Sequence, residues 1–493
     1  MIAELEKYHD FPAVPVTIQF KMESFAAIQV INSFRKEHVP CFLLTRTTEK
    51  DEKYTYLGIS PQRSYQMHAE MVTINTPPKG QQVKHEVPFS KVLEQVLAKY
   101  QTPHIPELPP FLGGLAGYFS YDYAKTATSA HFADVTDPLE LPDADLLLLD
   151  QVIVYDHRKK EITLSRIVST QITPTKYRAV LEDLRTLKEK ILHLHLDSDL
   201  PTFSMGKLKM HFSLAEFEQH VEEVRRRIKD GDIFQLILSN MQETSMRGSL
   251  LAVAPRLFTD CPSPYEFYFQ HADFEVVGAS PETLVGKNGQ QLFAYPLAGT
   301  RRRGATAAQD AAFAQELYHD PKELSEHNML IDLGRNDLGG RVSKFGTVQV
   351  TGVRKLLKFA NVMHLGSTIE STVAPKTTAT EIVKAVLPAG TLSGAPKISA
   401  MQIIAQLEKR KRGGLYGGCL GYLGFDGDLD MCIGIRLAYR KAEHLVVHSG
   451  AGIVADSVAK HEYQEFNNKA AAVKKALAAV NTTEEVAVDA LFD

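Results

Sequence analysis

The sequence predicts an α+β fold: antiparallel β-sheets flanked by helices. Two observations carry this. Strand-like segments recur through the second half, and turns rather than helices separate several of them, which points to antiparallel pairing and away from a doubly wound sheet. Helices in the same half open on their own capping signals.

Residues 1–200 read as a mixed region and 205–478 as a second unit. In the first, Cys41-Phe-Leu-Leu and Tyr54 to Ile59 are short strands. Phe111 to Tyr121 is glycine-rich and aromatic, suited to close packing rather than to a phosphate loop. Leu146 to Arg166, with the polar turn His157 to Lys160, reads as a hairpin. Residues 176–195 form an amphipathic helix, and Asp197 to Lys209, with Pro201, is the candidate linker. In the second unit, Ser213-Leu-Ala-Glu216 is a capping box ahead of Phe217, Val221, Val224 and Ile228 at helical spacing. Strands are expected at Asp232–Ser239, Phe274–Val277, Leu292–Tyr295, Tyr416–Phe425, Ile433–Tyr439 and Leu445–His448.

Composition narrows the class. A 493-residue chain has room for about three domains, or fewer large ones. It is 44% hydrophobic and 23% charged, a normal globular balance. The net charge of −4 argues against a nucleic-acid partner. The start, MIAELEKYHDF, lacks a basic-then-apolar signal pattern, so a cytoplasmic protein with no membrane association is expected. Cys41, Cys261, Cys419 and Cys432 form neither a zinc spacing nor a disulfide framework. Gly417-Gly-Cys419-Leu-Gly421 imitates a nucleophile elbow, but an elbow needs a strand, a turn and then a helix. Here a strand and a hairpin turn follow, so Cys419 is read as a small strand residue.

The candidate chemistry lies in two acidic helical turns. Asp320 is a good N-cap, Pro321 fits the first helical position, and Glu323 and Glu326 lie one turn apart. Near the C-terminus Glu462, Glu465 and Lys469 share one helix face, opposite Tyr463, Phe466, Val473 and Leu477. Singly, each is an ordinary solvated face. If the two turns met across a cleft, their carboxylates would repel unless a cation sat between them, and an all-oxygen donor set suits Mg²⁺. Gln235 sits mid-strand among apolar residues, and Glu282 follows a strand directly. The three arginines Arg301 to Arg303 read as surface or interdomain charges. Pro388 to Lys397, with Thr391, leads into a helix whose N–H groups suit an anion, and Ser449 to Asp456 offers backbone amides in the same way. Arg436, on an apolar strand, is costly to bury unpaired, and an anionic substrate would be its natural partner. These residues describe a Mg²⁺-dependent site for a small, multiply anionic molecule. They equally describe a cation-stabilised binding protein without turnover, which would need no proton-transfer group at Glu282.

Ten ordered motifs carry a family resemblance: GDIFQLILS, SPE, PLAGTRRRG, KELSEHNMLIDLGRND, VMHL, PAGTLSGAPK, RGGLYGGCLGY, IGIR, SGAGIVADS and EYQEFNNK. In this order they resemble the anthranilate synthase large subunits, within the chorismate-utilising enzymes. The first half resembles them less densely, through KYTYLGISP and FLGGLAGYFSYD. The resemblance implies an N-terminal regulatory subdomain (1–200) beside a chorismate-binding catalytic domain (205–478). It implies Mg²⁺ on Glu326 and Glu465, supported by Glu323 and Glu462. Tyr416, Arg436, Gly450, Ala451, Gly452 and Lys469 would hold substrate carboxylates, and Gly299 and Thr300 would contact the ring. Glu282 would be the general acid for the departing 4-hydroxyl and His364 would assist pyruvate loss, with Gln235 and Thr391 in the same catalytic group. Water-using relatives carry lysine where this chain has Gln235, so ammonia is the implied nucleophile. Relatives that form aminodeoxychorismate often carry lysine where this chain has Ala298, which favours anthranilate, with aminodeoxychorismate as the alternative product. The ammonia would come from a separate glutamine amidotransferase subunit. Members inhibited by tryptophan carry Leu-Leu-Glu-Ser where this chain has Leu43-Leu-Thr-Arg46, and Pro-Tyr-Met where it has Pro264-Tyr265-Glu266. Ordinary tryptophan inhibition is therefore not expected, and Arg46 is a candidate ion-pair partner of Glu266.

Overall fold

The computed structural model describes residues 6–34, 39–48, 50–194, 199–358 and 362–482, with the backbone alone at Glu6, Ala298, Thr300 and Val362. Its described residues build a 13-stranded and a 12-stranded sheet, and every ladder between strands of these sheets is antiparallel. The expected α+β class and antiparallel pairing hold. The inner faces pack on each other through Phe42, Tyr56, Val154, Phe267 and Val276 of the first sheet and Tyr118, Leu147, Leu420 and Cys432 of the second. Helices Pro174–Leu192, Ala254–Asp260 and Ala459–Val480 cover the outer face of the first sheet with Leu184, Leu257 and Leu477.

Both halves of the sequence contribute to both sheets. Cys41–Thr47 pairs with Tyr265–His271 in the first, and Gly114–Phe119 pairs with Cys419–Gly424 in the second. The stretch proposed as a linker is partly strand: Phe203–Met205 and Lys209–Met210 both pair with the long strand Gln235–Gly248. Residues 195–198 lie outside the described residues. Buried Phe203 and Met205 bracket a half-buried Ser204, a period of two that a linker reading overlooks.

The chain crosses between sheets at short, sharp points. Ala144–Leu149 belongs to the second sheet and Gln151–Asp156 to the first, so the hairpin expected over 146–166 is confined to Gln151–Ser169. Phe274–Ser280 lies in the first sheet and Thr283–Asn288 in the second, which puts Glu282 on a crossing. Leu429–Ile433 lies in the second and Leu437–Lys441 in the first. Arg436 is therefore not on a strand. It sits between two strands at φ 51°, a left-handed conformation that lets the chain turn from one sheet to the other. The two crossings are bonded side by side, Ile433 N–H to Glu282 O at 2.9 Å and Ala279 N–H to Arg436 O at 3.1 Å.

Candidate active site

The candidate side chains converge on that seam. From the first sheet, the strand His444–Ile453 lies against Gln235–Gly248 with Gly450 opposite Ser239 and Gly452 opposite Ile237. Gln235 is the first residue of its strand, not a mid-strand residue. It is buried, its Oε1 has no hydrogen-bond partner, and its Nε2 lies 2.8 Å from where a Cβ on Gly452 would stand. Any side chain at 452 would fill that space. Gly450 is similarly open to the Tyr416 hydroxyl, 2.8 Å from its virtual Cβ. Ala451 turns its methyl into the core, so only its backbone reaches the seam. Tyr416 is in the turn before Cys419–Gly424, not in that strand as expected, and stacks on His448 at 3.9 Å. Cys419 is a buried strand residue whose thiol burial pushes up to about 12, which removes it as a nucleophile.

Glu282 is buried at the crossing, and loss of hydration lifts its carboxyl to about 8, against opposing pulls from a backbone hydrogen bond at Leu297, Thr391, Arg436 and Lys469. The Thr391 hydroxyl lies 3.5 Å from both carboxyl oxygens. Leu330, Leu333, Asp337 and Thr391 line a cavity of about 50 Å³ against Glu282.

The second sheet supplies His364. Its Nδ1 is 2.9 Å from the Gly299 carbonyl, which fixes Nδ1–H as donor and Nε2 as the basic nitrogen. Burial lowers its pKa to about 4, the Gly299 bond opposes this, and Arg436 and Lys469 add to the lowering. Gly299 itself takes φ 65° at a bulge, and a Cβ there would meet Leu317 at 2.8 Å and Glu323 at 3.1 Å. The side chain of Thr300 lies outside the described residues.

The two acidic turns reach the seam through Glu323, beside Gly299, and through Lys469, bonded to the Gly450 carbonyl. Asp320 caps the helix Pro321–Gly339, accepting from the N–H groups of Lys322 and Glu323. Burial raises the Glu326 carboxyl, with Glu323 and Glu465 adding to the rise and Lys469 opposing it. Glu326 and Glu465, far apart in sequence, thus feel each other. Lys469 bonds Glu465 at 2.7 Å and the Gly450 carbonyl at 3.2 Å, tying the C-terminal helix to the strand below. Two expectations need correction. Glu462 does not share an exposed face: it is buried one turn from Phe466 and accepts from the Ser457 hydroxyl at 2.8 Å. Arg301 is no loose surface charge: it clamps Glu316, Asp320 and Glu323. Arg303 likewise pairs with Asp310.

The donor set of Glu326 and Glu465, with Glu323 and Glu462 nearby, is all carboxylate oxygen, the chemistry that suits a hard divalent ion. The mutual repulsion felt at Glu326 is what such a charge would relieve. The four do not form a closed shell. Among the described residues, the group of three or more ligand atoms within 4.8 Å of one another is His104, Asp426 and Asp428. That group lies at the other end of Leu429–Ile433, and its aspartates already face His104 and Lys287.

The stretch around Arg46 and Tyr265 also departs from expectation. Arg46 does not pair with Glu266. Arg46 and Tyr265 are direct ladder partners and Glu266 is opposite Thr45, so alternation puts Glu266 on the other face. Instead Arg46 Nε donates to Asp430 Oδ2 at 2.8 Å, its guanidinium lies 4.1 Å from the Tyr265 ring centre, and it also donates to the Thr47 carbonyl. The Tyr265 hydroxyl donates to Asp430 Oδ1 at 2.5 Å, and the Pro264 carbonyl accepts from Thr47 N–H at 2.8 Å. Burial disfavours the Arg46 charge, but Asp430 and Tyr265 outweigh it and keep the cation charged. The cation bolts the first sheet to the second.

Sequence reasoning gave no role to Glu408, Arg412, Ser239 or His448, which lie buried beneath Tyr416 and Gly450. The i, i+4 spacing of Glu408 and Arg412 was the available signal.

Comparisons place this architecture. The chain matches the chorismate binding enzyme family over residues 39–475. It is 35% identical over 484 residues to anthranilate synthase component 1 of Acetivibrio thermocellus, covering 95% of this chain and 96% of the relative. It is 39% identical over 371 residues to aminodeoxychorismate synthase component 1 of Bacillus subtilis (strain 168), covering 75% of this chain and 78% of the relative. The crystal structure of anthranilate synthase component I from Streptococcus pneumoniae TIGR4 superposes with a TM-score of 0.75 at 33% identity, over 86% of this chain and 92% of that one.

Proposed function

The chain belongs to the chorismate binding enzymes, and from that premise we propose that it is the large subunit of an anthranilate synthase. It takes chorismate and ammonia to anthranilate, pyruvate and water. The single observation that carries the mechanism is the opposed titration of two groups on one seam: Glu282 lifted to about 8 and His364 lowered to about 4. At neutral pH the first holds a proton to give and the second is free of charge and can take one.

Ammonia adds at ring carbon 2. Glu282 protonates the departing 4-hydroxyl, the carbon–oxygen bond breaks, and water leaves. His364 then accepts the proton from carbon 2 as the enolpyruvyl ether bond breaks, pyruvate leaves, and the ring becomes aromatic. Gln235 cannot deprotonate water as a lysine would, which leaves ammonia as the nucleophile. Arg436, Lys469, Tyr416 and the backbone of Gly450, Ala451 and Gly452 hold the carboxylates. Gly299 and Thr300 border the ring, and Thr391 orients Glu282. Glu326 and Glu465 would hold Mg²⁺, with Glu323 and Glu462 in support. When bound, it neutralises the ring carboxylate. Residues 1–200 act as the regulatory part and 205–478 as the catalytic part. A separate glutamine amidotransferase subunit supplies the ammonia. We place the enzyme in the cytoplasm; among the described residues no helix is long and apolar enough to cross a membrane.

The experiment is direct: purified protein, chorismate, Mg²⁺ and an ammonium salt, with the product identified by mass. Anthranilate and free pyruvate are expected. An aminated product that keeps the enolpyruvyl ether would instead indicate an aminodeoxychorismate synthase. Isochorismate formed without ammonia would overturn the nucleophile.

A further inference from the structure

Arg412 is among the largest fully buried side chains of the molecule. Its fork binds Glu408 at both oxygens, Nε to Oε2 at 3.0 Å and Nη2 to Oε1 at 2.9 Å. Nη1 donates to the Leu392 carbonyl and Nη2 to the Ile237 carbonyl at 2.8 Å. Its plane lies 4.4 Å from the Tyr121 ring centre and 5.8 Å from that of Tyr416. Glu408 Oε1 also accepts from Ser239 N–H at 3.0 Å and from the Ser239 hydroxyl at 2.7 Å. That hydroxyl lies 2.9 Å from His448 Nε2, and His448 is the ring on which Tyr416 stacks.

We propose that Glu408 and Arg412 are positioning residues that hold three parts of the substrate site in register. These parts are the Thr391 loop through Leu392, the strand facing Gly450 and Gly452 through Ser239 and Ile237, and the Tyr416 ring through His448. The proposal rests on the reading of Thr391, Tyr416 and the Gly450 strand as substrate-site elements. Neither residue touches substrate. Nε and Nη2 hold Glu408 while Nη1 and Nη2 reach two separate pieces of the floor, Leu392 and Ile237, and no apolar pair of the same volume reproduces those bonds.

Breaking a buried ion pair by removing one partner destabilises strongly, whereas replacing both partners by apolar residues of similar volume is often neutral or stabilising. That difference separates positioning from mere stability. Wild type is first shown to convert chorismate and ammonia to anthranilate; failure there overturns the function and not this proposal. Arg412→Met alone is expected to lower Tm. The double variant Glu408→Leu with Arg412→Met is expected to regain Tm close to wild type while KM for chorismate stays roughly tenfold to a hundredfold high. The alkaline limb of its pH profile should also move, because Thr391 no longer holds Glu282 in place. Recovery of both Tm and wild-type KM would overturn the proposal. Should the double variant fail to fold, Ser239→Ala cuts the link from Glu408 to His448 and removes no charge. A several-fold rise in KM at near-normal Tm supports the proposal, and an unchanged KM overturns it.

Discussion

In the proposed reaction, Glu282 sets the pH behaviour. Its carboxyl rises from 4.5 to about 8 on folding because burial removes its hydration. Folding therefore takes up a proton between those values. The stability this confers is complete below about pH 4.5 and is lost as pH rises through 8. The same group must be protonated to act, so kcat/KM is expected to fall on an alkaline limb near pH 8. Glu282→Gln should lower kcat by roughly 10²–10⁴-fold. Its melting temperature should decline less than that of wild type between pH 5 and 8; a variant that declines in parallel would show the carboxyl is not raised. Arg46 is the second decisive residue. Its guanidinium already occupies the place between Tyr265 and Asp430, so added tryptophan is expected neither to inhibit nor to bind saturably. The chain contains no tryptophan, so the fluorescence of the added amino acid reports binding without background. Arg46→Ala should cost about 3–5 kcal/mol in chemical denaturation, because Asp430 stays buried without its charged partner.

At the scale of elements, two helices carry the proposed metal dependence. The N-cap of Pro321–Gly339 was legible in Asp320-Pro321, and so was the acidic turn behind it. The face of the C-terminal helix was not. Glu462 looked solvated from spacing, yet it is buried one turn from Phe466, because the first turn of the helix folds back on Ser457 as well as resting on its apolar stripe. Glu326→Gln is expected to raise the Mg²⁺ concentration for half-maximal activity by roughly 10–100-fold or more. Chelator should abolish turnover; turnover that survives chelator would remove the metal from the mechanism. Asp320→Ala deletes two cap hydrogen bonds and one partner of Arg301. Loss of about 1 kcal/mol is expected from the cap alone, read by circular dichroism melting.

At the scale of the whole molecule, residues 1–200 and 205–478 share both sheets. Tyr265–His271 needs Cys41–Thr47 as its neighbour, and Cys419–Gly424 needs Gly114–Phe119. Excised residues 205–478 would expose these central edges, and an isolated fragment is expected to aggregate. Calorimetry of the full chain should show one cooperative transition. Two separated transitions would mean that the halves are thermodynamically independent despite the shared ladders.

The family resemblance implied most of the candidate seam residues, while the residue order alone determined the α+β class, the antiparallel pairing and the helix starts. Local chemistry is enough for those: caps, turns and alternation act over a few positions. Tertiary structure decided the rest. Arg436 read as a strand residue because its neighbours are apolar, but a crossing between two buried sheets is flanked by apolar residues too. Arg46 found Asp430, some 384 positions away, and not Glu266. The lifted acid at Glu282 and the neutral base at His364 exist only because two sheets close over them, and dehydration at a seam is a property no stretch of sequence carries by itself.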